Sequence, residues 1–117
     1  MTFIPTSLVI SNVPVEHAES LAKSLIDRRV AACVTLGPVK SVYRWERELC
    51  VDQEVTLTAK VSEICVERCV DAIKALHPYE LPEVLTIKVD AERSSKAYQD
   101  WVAAQCGSSD VKTDEES

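Results

Sequence analysis

Glycine is scarce in this sequence: only two of the 117 residues are glycine. Loops that cradle phosphate groups need several glycines, because the backbone N–H groups must come close to the anion. Neither a G-x-G-x-x-G nor a G-x-x-x-x-G-K-[ST] pattern occurs. The scarcity of glycine therefore argues against a classical nucleotide-binding fold.

Excess positive charge is also lacking, since the formal net charge is -6 at pH 7. Nucleic-acid affinity depends largely on Lys and Arg side chains that displace counterions, so we predict no nucleic-acid partner. Four acidic residues and one lysine give residues 107–117 a charge of -3. This segment has too little apolar surface to offset the entropy of ordering, and we predict that it is a disordered acidic tail.

Long apolar runs are absent as well. None approaches the ~18 residues of a membrane span, and the first ten residues lack the basic start of a secretory signal. The five cysteines are an odd number, and their spacing is typical of reduced thiols rather than of a disulfide framework. We therefore predict a cytoplasmic protein that makes no membrane contact.

Apolar periodicity predicts a single domain over residues 1–106, beginning with a strand and a helix. Residues 8–11 are rich in β-forming side chains, and apolar residues then recur at helical spacing as far as Arg29. Two alternating segments follow, separated by a polar connection at residues 46–48. They predict a long hairpin of the second and third strands, with a bend or bulge at Gly37.

The second half of the domain repeats the strand and helix pattern. Ser62 is predicted to cap a second helix, which ends just before Pro78. Residues 84–89 favour a fourth strand. Tyr98 and Trp101 belong to a segment of helical periodicity that predicts an extra C-terminal helix, ending near Gly107.

A βαβ unit followed by a second βαβ unit predicts the α+β, ferredoxin-like βαββαβ fold. In this fold two helices cover one face of a four-stranded antiparallel sheet. The other face, with Tyr43 and Trp45 on the long hairpin, would expose apolar and aromatic surface to water unless another chain covered it. We therefore expect the protein to form an oligomer.

The segment HPYELPEV contains candidate metal ligands, beginning with His77. A neutral imidazole is the commonest ligand of copper or zinc, and Glu80 or Glu83 can complement it. No H-x-x-x-H or C-x-x-C pattern adds partners, so these residues predict a weak copper or related divalent-cation site and no tightly bound cofactor. The alternative is that His77 ends the second helix and is hydrogen-bonded or solvated, at a corner where Pro78 stops the helix and Pro82 stiffens the approach to the fourth strand.

The cysteines favour packing over chemistry. Cys33 lies in a strand of buried type, where a free thiol behaves as a small hydrophobe. Cys65 and Cys69 share a helix face and could chelate a soft cation, although they fit the core better. We predict no catalytic site, because no nucleophile, base and oxyanion donors can be assembled from the sequence. The thiols expected to be more exposed are Cys50 and Cys106.

Several segments resemble those of the CutA divalent-cation tolerance proteins. The matching segments are AACV at residues 31–34, SVYRWE at 41–46, Lys60, HPYELPE at 77–83, and the pair Tyr98 and Trp101. The combination of His-Pro-Tyr-x-x-Pro-Glu with Tyr-x-Trp-Glu is specific to that family. The sequence departs from the family at Ser11, where some relatives place a cysteine proposed to bind copper, and at Arg47, where glycine is often found. Further departures are Asn12 and Val15.

The resemblance implies a homotrimer, similar in architecture to PII signalling proteins, with long hairpins that pair between subunits. It also implies a role in tolerance of divalent cations, copper especially, without an accepted catalytic reaction. The resemblance gathers five side chains into a cleft between subunits, although the aromatic ones can equally anchor an interface. Two functions therefore remain open: weak copper binding, or PII-like regulation by a small metabolite or a protein partner. The predicted cleft residues are Tyr43, Trp45, Lys60, Tyr79 and Glu83.

Overall fold

A computed structural model describes residues 3–107 of the chain. The elements are β1 (Thr6–Val13), α1 (Val15–Asp27), β2 (Cys33–Trp45), β3 (Glu48–Ser62), α2 (Val66–Leu76), β4 (Leu85–Lys88) and α3 (Lys96–Gln105). The predicted acidic tail lies outside the described residues except for Gly107, which is buried and donates its N–H to the Arg29 carbonyl at 3.0 Å. Within residues 3–107 no helix is long and apolar enough to cross a membrane.

The four strands form one antiparallel sheet in the order β2-β3-β1-β4. The predicted α+β, ferredoxin-like fold is confirmed, with the long β2–β3 hairpin and with α3 as the extra C-terminal helix. All of β1 pairs with β3, whereas β4 pairs only with residues 7–10 of β1. The short β4 therefore leaves the end of β1 without a strand partner on one side.

The core lies between the sheet and helices α1 and α2. Successive strand residues point to opposite faces, so alternate residues of β1 and β3 face these helices. Val9, Leu57 and Val61 are fully buried there, as are Leu25 of α1 and Ile73 of α2. The alternation predicted for residues 55–61 of the hairpin is the pattern that β3 contributes to this core.

The pairing of β2 with β3 excludes the predicted bulge at Gly37. Gly37 pairs with Thr56 and Pro38 pairs with Val55, one residue against one. A proline interrupts a sheet least on an edge strand, where its missing donor can face away from the ladder. Because β2 is an edge strand, it continues through both residues.

The predicted capping of α2 by Ser62 is wrong. A 3₁₀ turn, Glu63–Cys65, separates β3 from α2, and the Ser62 side chain makes no capping hydrogen bond. Ser62 is fully buried, and within residues 3–107 its hydroxyl has no hydrogen-bond partner. Ser62 is therefore the buried last residue of β3 and does not cap α2, which begins at Val66.

The hairpin turn consists of two residues, Glu46 and Arg47, between the paired residues Trp45 and Glu48. Their φ angles are 50° and 72°, in the left-handed region. A two-residue turn of type I′ needs this conformation at both positions because it matches the twist of the strands. Side chains other than glycine are disfavoured there.

Arg47→Gly is expected to raise the free energy of unfolding by about 0.5–1 kcal/mol, because relief of the left-handed conformation outweighs the extra entropy of glycine in the unfolded chain. Guanidinium unfolding at a fixed protein concentration measures the change. Arg44→Gly is the matched control, since Arg44 lies within β2, where glycine weakens a strand. Equal stability of the two variants would contradict this account of the turn.

Candidate functional site

Residues 77–84 form the corner between α2 and β4. His77 is the last residue to donate into the helix, with its N–H bonded to the Ile73 carbonyl at 2.9 Å, and its own backbone is extended. Pro78 follows and has no N–H, so the helix cannot continue. The missing N–H of Pro78 therefore ends α2 where the corner begins, as the sequence predicts.

The His77 side chain is buried, and both of its ring nitrogens have protein partners. Nε2 lies 2.8 Å from the Asn12 carbonyl oxygen, and Nδ1 accepts the Tyr79 N–H at 3.2 Å. A carbonyl oxygen can only accept, so we assign the proton to Nε2 and the lone pair to Nδ1. β4 pairs with β1 only as far as Ile10, so it does not reach Asn12. His77 therefore bonds a β1 carbonyl that lies beyond the end of this pairing.

The other two predicted metal ligands, Glu80 and Glu83, are exposed on the same corner. They do not form a metal-binding cluster with His77: nowhere in the described part of the chain do three His, Cys, Asp or Glu side chains converge to hold a metal ion. Both carboxylates instead line a cleft.

This cleft lies between the β2–β3 hairpin and the corner, and its volume is about 750 Å³. Sites for small ligands usually measure about 300–1,000 Å³, so the cleft is of suitable size. A single chain already brings together four of the predicted cleft residues, and further lining comes from polar and apolar side chains of the hairpin and corner. The predicted residues that line it are Tyr43, Trp45, Tyr79 and Glu83.

Lys60, the fifth predicted cleft residue, lies elsewhere in the single chain. It pairs with Cys33 at the end of the hairpin remote from the turn, and its Nζ lies 3.4 Å from the Thr35 hydroxyl. Lys60 lies six positions along β3 from Glu54 of the cleft, which corresponds to roughly 20 Å along an extended strand. Lys60 therefore does not supply charge to this cleft from within its own chain.

Glu54 is the cleft residue that sequence reasoning missed. It is only 5% exposed, and its two carboxylate oxygens accept hydrogen bonds from Ser41 and Tyr79 hydroxyls, each at 2.6 Å. Neither ion pair in residues 3–107 involves Glu54. The alternation of Glu54 with apolar residues indicated on which face of β3 it lies. Its hydrogen bonds could not be predicted from local sequence, because Ser41 and Tyr79 are 13 and 25 residues away.

A model of the CutA1 divalent ion tolerance protein family matches residues 7–105. The chain belongs to this family. It is 35% identical over 102 residues to the divalent-cation tolerance protein CutA of Thermus thermophilus, which covers 86% of the chain and 97% of that relative.

Two solved CutA structures illustrate the shared fold. The PII-like protein CutA from Nostoc, in apo form, has a TM-score of 0.85 and 42% identity, over 86% of this chain and 97% of that one. CutA1 from Oryza sativa has a TM-score of 0.84 and 31% identity, over 92% of this chain and 98% of that one. The resemblance to the CutA family found in the sequence is thus confirmed.

All three tyrosines of this CutA1 family member have raised pKa values. The hydrogen bond to Asp52 raises the pKa of Tyr43 to about 12. Burial, together with the hydrogen bond to Glu54, raises the pKa of Tyr79 further, and burial raises the pKa of Tyr98. The phenols at the cleft are therefore neutral donors to carboxylates at neutral pH.

Ultraviolet titration is expected to show Tyr43 ionising near pH 12 in the folded protein. A free tyrosine has a pKa of about 10, so the folded-state pKa lies above the unfolded value. The stabilising contribution of the Tyr43 phenol is then complete below pH 10 and is lost as the pH rises from 10 towards 12. Tyr43→Phe should remove its part of the titration; phenols that ionise near pH 10 in the folded protein would contradict these hydrogen bonds.

The chain buries more of its thiols than the sequence predicts. Cys65 and Cys69 are fully buried, as expected, but Cys106 is only 5% exposed, so its predicted exposure is wrong. Arg68 explains this burial: its Nη2 donates to the Gly107 carbonyl at 2.8 Å and lies 3.0 Å from the Cys65 sulfur, which ties the end of α3 to the start of α2.

Burial raises the pKa of Cys69 to about 12. The half-buried thiols are Cys33 and Cys50.

Proposed function

We propose that this chain acts in tolerance of divalent cations as a homotrimeric, PII-like regulatory module whose cleft binds a small ligand. The observation that carries the proposal is the hydrogen bond from Tyr79 to Glu54, which joins the corner to β3 beside the cleft. A ligand in the cleft contacts both the hairpin and the corner, so its binding can change how these two segments are held together. The role is binding and signalling rather than catalysis.

The homotrimer is supported by the open face of the sheet. Leu85 and Ile87 of β4 are 56% and 49% exposed, and they pair with Ile10 and Leu8 of β1. These four apolar residues lie on the face opposite α1 and α2. An apolar patch at the β4 edge of the sheet is typical of a surface that assembly buries, and we propose that further copies of this chain cover it.

A thermal-shift screen of small metabolites tests the cleft as a ligand site. A true ligand should stabilise the wild type and lose this effect in Trp45→Ala. Trp101→Ala is the matched control, because Trp101 is 43% exposed against 41% for Trp45 but does not line the cleft. Lys60→Ala tests whether a neighbouring subunit brings its Lys60 to the cleft. Stabilisation that survives Trp45→Ala would move the site elsewhere.

A second proposal is weak binding of copper, or of a related divalent cation, by Nδ1 of His77 with help from Glu80 or Glu83, at a site that assembly of several copies would have to complete, because these side chains do not converge on a metal within the described part of one chain. Three carboxylates line the cleft, whereas its lining within the described residues includes neither Lys nor Arg. Nδ1 carries the lone pair, and its hydrogen bond of 3.2 Å is longer than the 2.8 Å bond of Nε2. Metal binding would therefore displace the Tyr79 N–H from Nδ1.

Calorimetric titration of Cu(II) tests this second proposal. His77→Ala should weaken binding, whereas His17→Ala should not, because His17 is the other histidine and is exposed on α1. Equal affinity of the wild type and His77→Ala would dismiss His77 as a ligand. Circular dichroism confirms that each variant is folded.

We also propose a cytoplasmic location. All five cysteines are free thiols, and two of them are half-buried rather than sealed in the core. A reducing compartment keeps such thiols unpaired.

A further inference from the structure

We infer that the cleft prefers an organic cation with an apolar flank, such as a protonated aromatic amine, over anionic or neutral ligands and over a bare metal ion. This inference rests on the proposed ligand-binding function of the cleft and adds the chemical class of the ligand.

Glu54 is the strongest reason for a cationic ligand. Glu54 as a residue is only 5% exposed, and the two hydrogen-bond partners of its carboxylate, Ser41 and Tyr79, are neutral hydroxyls. A carboxylate can accept about four hydrogen bonds, so lone pairs remain for another donor. A buried charge without a counter-ion is costly, and within residues 3–107 no basic side chain forms an ion pair with Glu54. A positively charged donor in the cleft would supply the missing charge.

The rim of the cleft has the same sign of charge. Glu80 and Glu83 line it and are exposed, and Asp52 accepts the Tyr43 hydroxyl beside it. A concave surface lined by charges of one sign concentrates ions of the opposite sign and repels those of its own. The cleft therefore disfavours an anionic metabolite.

Aromatic rings distinguish an organic cation from a metal ion. Tyr43, Trp45 and Tyr79 line the cleft, and a cation over an aromatic face is attracted by the ring quadrupole. The Tyr79 ring packs against the His77 ring, with 4.7 Å between the ring centroids. A metal ion instead needs several convergent ligands, and the described part of the chain offers no such cluster.

Three probes of nearly equal shape test this preference on the full-length chain by isothermal titration calorimetry. Phenethylammonium carries a positive charge, phenethyl alcohol is neutral and phenylacetate is negative. We expect phenethylammonium to bind about tenfold more tightly than the alcohol, because hydrogen bonds to charged groups are stronger than neutral ones. Phenylacetate should bind most weakly.

Two variants that preserve shape assign the effect to the cleft. Glu54→Gln should weaken phenethylammonium binding by about tenfold and leave the alcohol nearly unchanged, because it removes the charge but keeps an amide that can bond Ser41 and Tyr79. Glu67→Gln is the control, since Glu67 is exposed on α2 outside the cleft.

The possible failures are distinguishable. Equal or tighter binding of the alcohol or phenylacetate, abolished by Trp45→Ala, would overturn the cation preference and leave the cleft as a ligand site. An unchanged phenethylammonium affinity in Glu54→Gln would also overturn the cation preference. Absence of binding by all three probes at millimolar concentration would overturn both the preference and the proposed ligand-binding function.

Discussion

Leu85→Glu is expected to dissociate the proposed trimer into single chains. Leu85 is 56% exposed in one chain and lies on the open sheet face beside Ile10. Burying a leucine stabilises an interface by about 1.5–3 kcal/mol, whereas burying an unpaired carboxylate costs several kcal/mol. The substitution reverses the sign of this contribution in all three subunits at once, so we expect the assembly to be lost.

Sedimentation equilibrium measures this effect as a fall of the mass to that of one chain. Ile26→Glu is the matched control, because Ile26 is 41% exposed on α1, which packs on the other face of the sheet. Leu85→Glu protein that keeps the mass of the wild type would show that another surface makes the assembly.

His77→Ala is expected to lower the free energy of unfolding by about 2–4 kcal/mol. The substitution leaves the Asn12 carbonyl without the donor at 2.8 Å that now satisfies it, and an unsatisfied buried polar group costs about 1–3 kcal/mol. It also removes a buried ring that packs against Tyr79, which adds a cavity cost of about 1 kcal/mol or more. Chemical denaturation at a fixed protein concentration measures the sum.

His77→Gln separates the hydrogen bond from the packing of the ring. The glutamine amide can reach the position of Nε2 and donate to Asn12, so this variant should recover part of the stability lost in His77→Ala. If His77→Ala changed the stability by less than about 0.5 kcal/mol, as surface substitutions do, the structural role of His77 would be wrong.

The fold was predictable because its signals are local and periodic. Alternation along residues 55–61 and helical spacing before Arg29 each report which face of an element is buried, whatever the rest of the chain does. The wrong predictions, a bulge at Gly37 and a helix cap at Ser62, relied on local residue preferences. Tertiary structure determines the conformation at both positions. Gly37 lies within an unbroken ladder, and Ser62 is still part of β3 when it enters the core.

The candidate site was predictable in part, because the family resemblance grouped side chains that single-sequence spacing cannot. The role of Glu54 depends on contacts with Ser41 and Tyr79 that exist only after folding. The place of Lys60 depends on the hairpin register, which a turn at residues 46–47 determines. His77 shows the same limit, since its hydrogen bond to Asn12 spans 65 residues of sequence.

Static light scattering of the wild-type chain at micromolar concentration tests most directly whether this CutA1 family member works as a homotrimer. We expect a mass three times the 13.0 kDa of a single chain. A mass of 13.0 kDa at micromolar concentration would contradict the trimer, because the apolar face that carries Leu85 and Ile87 would then remain open to water.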